Sequence, residues 1–307
     1  MSFYGIGGSL FGIIIVNIFL TIITFGIYSF WGRTKVRKYL MSQTELEGDR
    51  FAYHGTGKEL LIGFLKILPL FIFIVLLNSL PAILGLGKTV EAIANLLTFV
   101  IVFFVLFPVA IVGMLRYRLS RTSWRGIRFS LRGRVMDFIK LYVVGWILSL
   151  LTLGVYYHIF SIKQYEYLVS HSYFGNQKLH FDGRRTDLLS SYLLALLLTI
   201  PTLGFYWFWF SAKLLRHLLS HTSFGTARFS STITGGRFLL FHLGNLLLVI
   251  VTLGIAGPWV MVRIIRFAFT HITLQGPLDL ASIVQEAELA PATGEGLAGF
   301  LDLDVGL

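Results

Sequence analysis

The chain has 307 residues and a net charge of +11, with 55% hydrophobic residues and only 13% charged residues. Soluble domains carry about a quarter charged residues, so this composition is atypical of a soluble protein and favours an integral membrane protein. Cysteine is absent, which excludes a disulfide, a thiolate metal site and a cysteine nucleophile.

The first apolar run begins at the start of the chain. No Lys or Arg precedes Arg33 and no Ala-x-Ala cleavage site is present, so we expect this segment to be retained rather than removed as a secretory signal. Later runs are longer: residues 60–86 contain a single charge, Lys66, and residues 238–262 contain none. Runs of about 18 or more apolar residues are long enough to cross the roughly 30 Å hydrocarbon core of a bilayer.

A Thr-x-Gly motif interrupts these runs at a regular interval. It occurs at Thr24 and again at Thr152, Thr202 and Thr252, which are 50 residues apart. A base stands nine residues after each glycine, and a histidine stands seventeen residues after each of the last three. The bases are Lys35, Lys163, Lys213 and Arg263, and the histidines are His171, His221 and His271. A fixed period of this kind predicts repeated structural units.

The repeat predicts a membrane-embedded domain of residues 1–276, followed by a tail of residues 277–307. We number its five units 1 to 5; unit 2 is a degenerate copy. Their approximate ranges are residues 3–50, 51–128, 129–180, 181–228 and 229–276. Each unit ends in a short alternating segment, and turns such as Gly175-Asn176 between units are typical of β-hairpins.

The predicted fold is an all-α integral membrane protein of about five repeated helix pairs, transmembrane or re-entrant, with short β-hairpins at the cytoplasmic surface. The basic loops 163–186 and 211–237 have near-identical sequences and four Lys or Arg residues each. Because basic short loops mark the cytoplasmic face, both are expected on that side. This favours a helical hairpin per unit, with cytoplasmic N- and C-termini, over the alternative of six simple spans.

The four repeated bases have two interpretations. In a hairpin, a base nine residues past the Thr-x-Gly break lies about 13 Å along the returning helix. A shallow hairpin lets it reach the interface as an anchor, whereas a deeper one places it in a wet cavity that receives an anionic headgroup or solute. An enclosed polar cavity bordered by the bases would favour transport, and bases directed toward lipid headgroups would favour a scaffold.

The tail has a different composition from the rest of the chain. It contains six of the 15 acidic residues and no Lys or Arg. From about Ala290 onward it mixes Gly, Ala, Pro and acids without helical periodicity, so we expect a flexible segment, disordered or loosely docked. Docking of its acids on the basic surface of the domain is the alternative.

Three stretches carry a family resemblance. They are Asn17-Ile-Phe-Leu-Thr-Ile-Ile-Thr24-Phe-Gly-Ile-Tyr28 with Trp31, Lys35 and Tyr39, then Gly48-Asp-Arg-Phe-Ala-Tyr-His-Gly-Thr-Gly57, and Gly294-Glu-Gly-Leu-Ala-Gly-Phe-Leu-Asp-Leu-Asp in the tail. In these motifs the chain resembles the YjgN-like family of bacterial inner-membrane proteins of unknown function. The resemblance implies a multi-pass inner-membrane location and carries over no activity and no catalytic residue.

No catalytic, phosphate-binding or zinc-protease motif occurs, so we predict neither an enzyme nor a cofactor. Asp137 and Asp187 begin apolar runs and are interpreted as helix N-caps. Zinc needs three or four converging ligands, and one histidine per unit does not supply them. We therefore predict no metal site and interpret His171, His221 and His271 as structural, capping a helix or bonding the following turn.

The leading hypothesis is an inner-membrane protein that binds or transports an anionic amphiphile or solute along cationic helix faces. A non-transporting scaffold that shapes the membrane is the alternative. Basic loops attract anionic headgroups with about 1 kcal/mol per Lys or Arg near the surface, so anionic membrane lipids are the expected partners. Nucleic acid is not an expected partner, and a homo-oligomer is left open.

Overall fold

The five predicted units share one order of elements: strand, helix, helix, strand. The computed structural model describes residues 2–277, 283–286 and 290–301, the side chain of Phe300 excepted. The strands are β1 (Ser2–Phe3), β2 (Thr44–Leu46), β3 (Asp49–Tyr53), β4 (Thr122–Trp124), β5 (Ile127–Leu131), β6 (Ser172–Phe174), β7 (Gln177–Phe181), β8 (Thr222–Phe224), β9 (Ala227–Ser231) and β10 (Ile272–Gln275).

The helices lie between the strands of each unit. They are α1 (Gly7–Ile23), α2 (Ser29–Ser42), α3 (Gly57–Ile83), α4 (Lys88–Ile101), α5 (Phe107–Arg121), α6 (Val135–Leu151), α7 (Tyr157–Ser170), α8 (Leu189–Leu198), α9 (Tyr206–Ser220), α10 (Gly235–Val251) and α11 (Gly257–His271), followed in the tail by α12 (Thr293–Phe300). In unit 2, one turn of π-helix over Val102–Leu106 joins α4 to α5.

Each unit begins and ends at the same place, because its first and last strands pair with each other. Phe51 is the antiparallel partner of Trp124 in unit 2, and Phe129 is the partner of Phe174 in unit 3. The helices between such strands leave the sheet and return to it, so each unit is a helical hairpin.

All ten of these strands belong to one antiparallel sheet in the order β1 to β10, since tight β-hairpins also join each unit to the next. The prediction of an all-α fold with separate short β-hairpins is therefore corrected: the hairpins are present, but neighbouring hairpins pair with each other through the first and last strands of the unit between them. The sequence hides this because the strands are only two to five residues long, too short for a clear alternating pattern.

The sheet is curled around an apolar cavity of about 240 Å³. The cavity is lined by one side chain from each strand after the first, namely Leu46, Phe51, Trp124, Phe129, Phe174, Leu179, Phe224, Phe229 and Leu274. The rings of Phe129 and Phe174 lie 4.7 Å apart. Because β2 and β10 reach the same cavity, strands from opposite ends of the sheet face each other across it.

The first and last units are in contact, so the five units close into a ring. Helix α11 packs against α1 and β1, as α9 packs against α10 and β9 in the neighbouring pair of units. The ring of Phe3 stacks on that of Phe269, with 6.4 Å between centroids. Arg266 also donates a hydrogen bond of 3.0 Å to the carbonyl of Gly5.

The Thr-x-Gly turns join the two helices of units 1, 3, 4 and 5, and we call each of them the tip of its unit. In unit 3 the Thr152 hydroxyl donates to the carbonyl of Leu148 and accepts from the amide of Tyr156, so it satisfies one group of each helix. The residue after Thr has φ between 48° and 50°, and the glycine has φ between 82° and 91°. These left-handed conformations end the first helix and reverse the chain.

Unit 2 is the longest unit. Helix α3 has 27 residues, compared with 17 in α1, α6 and α10. Among the described residues, two helices are long and apolar enough to cross a membrane, Gly57–Ile83 and Lys88–Arg121. Only 11% and 17% of the residues in their most apolar stretches are buried. This exposure distinguishes them from core helices of a soluble domain.

The described part of the tail is docked on the domain. Helix α12 packs between α3 and α5. Residues 283–286 lie against the turn between β6 and β7, where Asn176 exchanges two hydrogen bonds with the backbone of Val284. Buried Ile283 contacts the aromatic lining of the sheet through Trp124 and Phe174.

The sequence predicts a flexible tail for residues 277–307, with docking as the alternative; the described segments 283–286 and 290–301 lie against the domain. The sequence does not reveal α12, because three of its eight residues are glycine, a poor helix former. Those glycines permit close approach: a Cβ added at Gly294 would lie 2.3 Å from Cα of Gly113. For residues 278–282, 287–289 and 302–307 the prediction concerns residues outside those described.

Candidate functional site

The four repeated bases occupy equivalent places on the second helix of units 1, 3, 4 and 5. We call Lys35, Lys163, Lys213 and Arg263 the cationic belt. The residue before each base is buried, whereas the base itself is exposed or half-buried, so the belt points away from the packed interior of the ring. In two units a tyrosine holds the lysine: Nζ lies 2.5 Å from the hydroxyl of Tyr28 in unit 1 and 2.7 Å from that of Tyr156 in unit 3.

Each belt residue has partners within its own unit. Lys213 donates a hydrogen bond of 2.6 Å to the hydroxyl of Ser191, and the guanidinium of Arg263 lies over the ring of Phe241. Lys163 borders an open cavity of about 510 Å³ that the other three belt residues do not line. The belt is thus a set of separate outward positions and not the lining of one shared cavity.

The tips of these four units are apolar and almost fully exposed. The side chains after the threonines are Phe25, Leu153, Leu203 and Leu253, with exposed fractions of 96%, 93%, 85% and 91%. A bulky residue at positive φ costs of order 1–3 kcal/mol, so a smaller or more flexible residue would be easier to place there. Contiguous apolar surface of this kind marks an interaction with another protein or with a membrane.

The tip of unit 2 has a different character. The chain turns at Leu84–Gly87 and enters α4 with the exposed Lys88, followed within one turn by Glu91. Near this tip Asn78 donates a hydrogen bond of 3.0 Å to Asn95, which links α3 to α4. The longest hairpin therefore has charged residues directly after its exposed apolar turn, Leu84 and Leu86 included, whereas the tips of the four shorter hairpins contain no charged residue.

A buried ion pair joins the tail to the ring. Glu295 of α12 accepts hydrogen bonds from Arg37 of α2 at 2.5 Å and from Arg118 of α5 at 3.3 Å. The exposed fractions of the side chains are 5% for Glu295, 7% for Arg37 and 12% for Arg118. Burial of two cations is costly unless a counter-charge accompanies them, and Glu295 supplies it.

Sequence reasoning missed this group. Arg37 and Arg118 lie outside the nine-residue register of the belt, and Glu295 lies 258 residues from Arg37 in sequence. One feature of the sequence could have indicated it. In the motif Gly294-Glu-Gly-Leu-Ala-Gly a single acidic residue stands among glycines, and glycines allow another helix to approach closely while the acid supplies a charge at that contact.

The three repeated histidines lie at the C-terminal ends of α7, α9 and α11. In each, Nδ1 lies near the carbonyl oxygen four residues earlier, at 2.7 Å for His171 and 2.9 Å for His221 and His271. The backbone carbonyl of each histidine also accepts a hydrogen bond from the amide that follows the first strand of its own unit, donated by Arg132, Asp182 and Thr232 respectively. These contacts hold the helix end against the sheet, and the three rings do not converge.

The two aspartates interpreted as caps do not act as such. Helices α6 and α8 begin after Arg134 and Leu188, and neither start has a side-chain cap hydrogen bond. Asp187 lies instead near His217 and His221, with the possible ligand atoms of all three within 4.8 Å of one another. The 50-residue repeat identifies His221 but not His217, which lies one helical turn earlier.

Titratable groups also lie at the base of unit 2, outside the long helices. Nε2 of His54 is 2.7 Å from the hydroxyl of Ser123. Partial burial lowers the pKa of His54, and the nearby Arg128, Lys38 and Arg121 act in the same direction. Burial raises the pKa of the adjacent Tyr53 hydroxyl, although Arg37 partly opposes this effect. We therefore expect His54 to be neutral in the folded protein at neutral pH.

Comparison with known proteins gives a family. The family model described as "bacterial protein of unknown function (DUF898)" matches residues 1–206 and 186–300. The chain is 35% identical over 178 residues to the protein named inner membrane protein YjgN from Salmonella typhimurium (strain LT2), covering 53% of this chain and 42% of that relative. It is 35% identical over 136 residues to the protein of the same name from Escherichia coli (strain K12), covering 44% and 32%.

These matches cover less than half of the length of the curated relatives. No solved structure matches the chain. The resemblance to YjgN-like bacterial inner-membrane proteins that the motifs indicated is confirmed.

Proposed function

Because this chain belongs to the DUF898 family of bacterial proteins of unknown function, and its relatives are named inner membrane proteins, we propose that it is an inner-membrane protein that binds anionic lipid headgroups through the cationic belt. In this proposal the five units are repeats that insert from the cytoplasmic face, with the sheet and both termini on that side. The strand–helix–helix–strand order common to the units, together with the equivalent turns of units 1, 3, 4 and 5, supports this part of the proposal.

The depth of the belt below the tips carries the proposal. Each belt residue stands nine residues after the tip glycine, which is about 13 Å along a helix. Half of a roughly 30 Å hydrocarbon core is about 15 Å. With the belt at the level of the headgroups, the four apolar tips reach the middle of the bilayer. Their exposed Phe25, Leu153, Leu203 and Leu253 then contact acyl chains.

The longer helices of unit 2 are long enough to cross the whole hydrocarbon core of the same membrane. Lys66 and Ile83 are 17 residues apart in α3, or about 26 Å. With Lys66 near the cytoplasmic headgroups, Lys88 at the tip reaches the opposite headgroup layer. The charged tip is thus placed in water, whereas the uncharged tips of the four short units are placed in lipid.

The chemistry of the belt suits a phosphate headgroup. Tyr28 and Tyr156 hold the lysines of units 1 and 3 by hydrogen bonds from Nζ to the phenol oxygen, at 2.5 Å and 2.7 Å. The lysine position is therefore fixed before a lipid binds, which reduces the entropy lost on binding. Separate outward positions favour binding of individual lipids over passage of a solute through the ring.

The test is thermal unfolding in detergent with added phosphatidylglycerol or phosphatidylcholine. A ligand that binds the folded state raises its stability by linkage, so wild type should gain more from the anionic lipid. The double variant Lys163→Gln/Lys213→Gln should lose most of that difference. The control pair Lys58→Gln/Lys178→Gln removes the same charge from exposed positions outside the belt and should keep it. If phosphatidylglycerol stabilised all three proteins equally, the belt would be rejected as a headgroup site, and the scaffold hypothesis would be favoured.

A further inference from the structure

Unit 4 brings together three side chains that can ligate a metal ion. Asp187 lies just before α8, and His217 and His221 lie one turn apart on α9. Their possible ligand atoms are all within 4.8 Å of one another. Residues four apart in a helix share one face, and the two imidazole rings accordingly lie 4.3 Å apart between centroids.

The hydrogen bonds of these histidines leave lone pairs for a ligand. Nδ1 of His221 lies 2.9 Å from the carbonyl oxygen of His217, and donation there leaves the lone pair on Nε2. Such a contact to a backbone carbonyl fixes the tautomer and orientation of many metal-binding histidines. Nε2 of His217 is buried and has no hydrogen-bond partner among the described residues. A buried imidazole nitrogen in this state is stabilised by a metal ion or another partner.

The neighbouring units supply an internal comparison. At the positions of Asp187, His217 and His221, unit 3 has Asp137, Tyr167 and His171, whereas unit 5 has Arg237, Phe267 and His271. In all three units the centroid of the aromatic ring four residues before the repeated histidine lies 4.3 Å from the centroid of the histidine ring. The placement of this ring pair is therefore shared, and only unit 4 of these three has imidazole or carboxylate ligands at all three positions. Asp187 lies before α8, whereas Asp137 lies in the first turn of α6.

We propose that Asp187, His217 and His221 bind one divalent transition-metal ion of the zinc class. Two imidazoles and one carboxylate are a ligand set that zinc accepts, with water in the fourth position because Asp187 is exposed. Zinc bonds of about 2.0–2.2 Å require ligand atoms roughly 3.3 Å apart, so atoms now up to 4.8 Å apart approach one another by up to about 1.5 Å on binding. This site is independent of the cationic belt.

The ion fastens the start of α8 to the end of α9. Helix α8 has ten residues and is the shortest of the described helices in the five units. The loop before it is also held by Arg185, whose guanidinium pairs with Glu166 of unit 3 at 2.9 Å. A metal ion at Asp187 adds a second attachment on the other side of the loop, so binding stabilises unit 4 against local opening.

The first experiment measures zinc binding to the full-length protein, purified in detergent without a histidine tag and treated with a chelator. Titration calorimetry with zinc chloride should give one equivalent for wild type, and zinc should raise the unfolding temperature. His217→Phe copies the residue at this place in unit 5, so the ring packing is kept while the ligand is lost. It should bind no stoichiometric zinc, whereas His271→Phe should still bind one equivalent.

The second experiment builds the site in unit 3. Tyr167→His completes the set with Asp137 and His171, so this variant should bind two equivalents of zinc. Absence of stoichiometric binding to wild type would overturn the proposal, as would one equivalent that survives His217→Phe. Tyr167→His also removes the hydrogen bond from the Tyr167 hydroxyl to the Arg134 carbonyl and could unfold the protein for that reason. In that case the comparison of His217→Phe with His271→Phe still tests the proposal.

Discussion

Units 2 and 3 are neighbours in the ring and share an element order, yet α3 has 27 residues where α6 has 17. The tip of unit 3 presents Leu153, whereas the tip of unit 2 presents Lys88 and Glu91. The strand pairing at the base is of the same kind in both units. The comparison teaches that the length of the helices, not the architecture of the hairpin, sets how far a unit projects from the sheet.

The two units are also packed differently. In unit 3 the helices touch directly, and a Cβ at Gly145 would lie 2.0 Å from the ring of Phe160. In unit 2 the tail helix α12 lies between α3 and α5, and a Cβ at Gly63 would lie 2.2 Å from the carbonyl oxygen of Ala292. The long hairpin therefore depends on the tail for its packing, and the short one does not.

Labelling with a membrane-impermeant thiol reagent should separate the two kinds of tip completely, since the chain has no native cysteine. In intact cells Lys88→Cys should react from outside, because the proposed insertion brings the unit 2 tip to the far interface. Leu203→Cys should not react, because the same proposal places the short tips within the hydrocarbon layer. Asn176→Cys and Thr226→Cys, at turns of the sheet, should both react only after the inner face is exposed.

Reaction of Leu203→Cys in intact cells would contradict the proposed difference in depth between the short tips and the tip of unit 2. Labelling of just one of the two sheet positions from outside would place the sheet turns on both sides of the membrane and contradict insertion from one face. A denatured sample in which all four cysteines react is the control for reagent access.

Removing the buried carboxylate should strongly destabilise unit 2. Glu295→Gln leaves Arg37 and Arg118 without their shared counter-charge, and breaking a buried ion pair costs about 3–5 kcal/mol. The matched control is Glu286→Gln, which breaks the pair with Arg132 where both side chains are more than a third exposed. Such a surface pair contributes about 0–1 kcal/mol.

The measurement is chemical unfolding in detergent, with limited proteolysis to follow release of the tail. Glu295→Gln should show earlier unfolding and faster cleavage between the sheet and α12, and Glu286→Gln should resemble wild type. Equal effects of the two variants would mean that α12 is held by its glycine contacts and not by the ion pair.

A charge introduced at a short tip should cost more than the same charge at the long tip. Leu203→Arg places a guanidinium near mid-bilayer, where insertion scales give about 2.5–3.5 kcal/mol. Thr89→Arg, next to Lys88 in unit 2, adds the same charge at the interface and should cost little. The fraction of protein retained in membranes after alkaline extraction checks this, and similar losses for both variants would favour tips at equal depth.

The smallest expected effect is a pH dependence at the base of unit 2. Because the pKa of His54 is lowered by partial burial, the unfolded chain takes up a proton near pH 6.5 before the folded protein does. The contribution of His54 to stability is thus present above that pH and is lost as the pH falls through the folded-state value. In thermal unfolding between pH 7.5 and 5, His54→Gln should lose less stability than wild type, and parallel curves would assign the acid sensitivity to other groups.

The sequence predicts the hairpins from particular residues. Thr152 and Gly154 mark the tip of unit 3 because the turn uses a threonine hydroxyl and a left-handed glycine, both local requirements. The belt position of Lys163 follows from the same register. Local chemistry at a fixed spacing is visible in a sequence, so the repeated turns and bases could be read from it.

What the sequence did not reveal depends on contacts between distant segments. The pairing of β5 with β6 across the two helices of unit 3, the pair of Glu295 with Arg37, and the approach of Asp187 to His217 each join segments that are distant in the sequence. His217 also lies outside the repeated frame, so a search by period cannot find it. Long-range geometry, not residue type, decided these features.

The ring is closed by the contact between its first and last units, which we call the seam. Arg266 and Gly5 meet across 261 residues of chain. At about 5–20 residues per second, a ribosome needs roughly 13 to 52 s to synthesise that interval. Throughout it, unit 1 has an uncovered face where α11 will later pack. Closure of the seam is thus the last contact between units that synthesis permits, with the docking of α12 still to follow. An early misdocking of unit 1 would have to be undone before the ring could close.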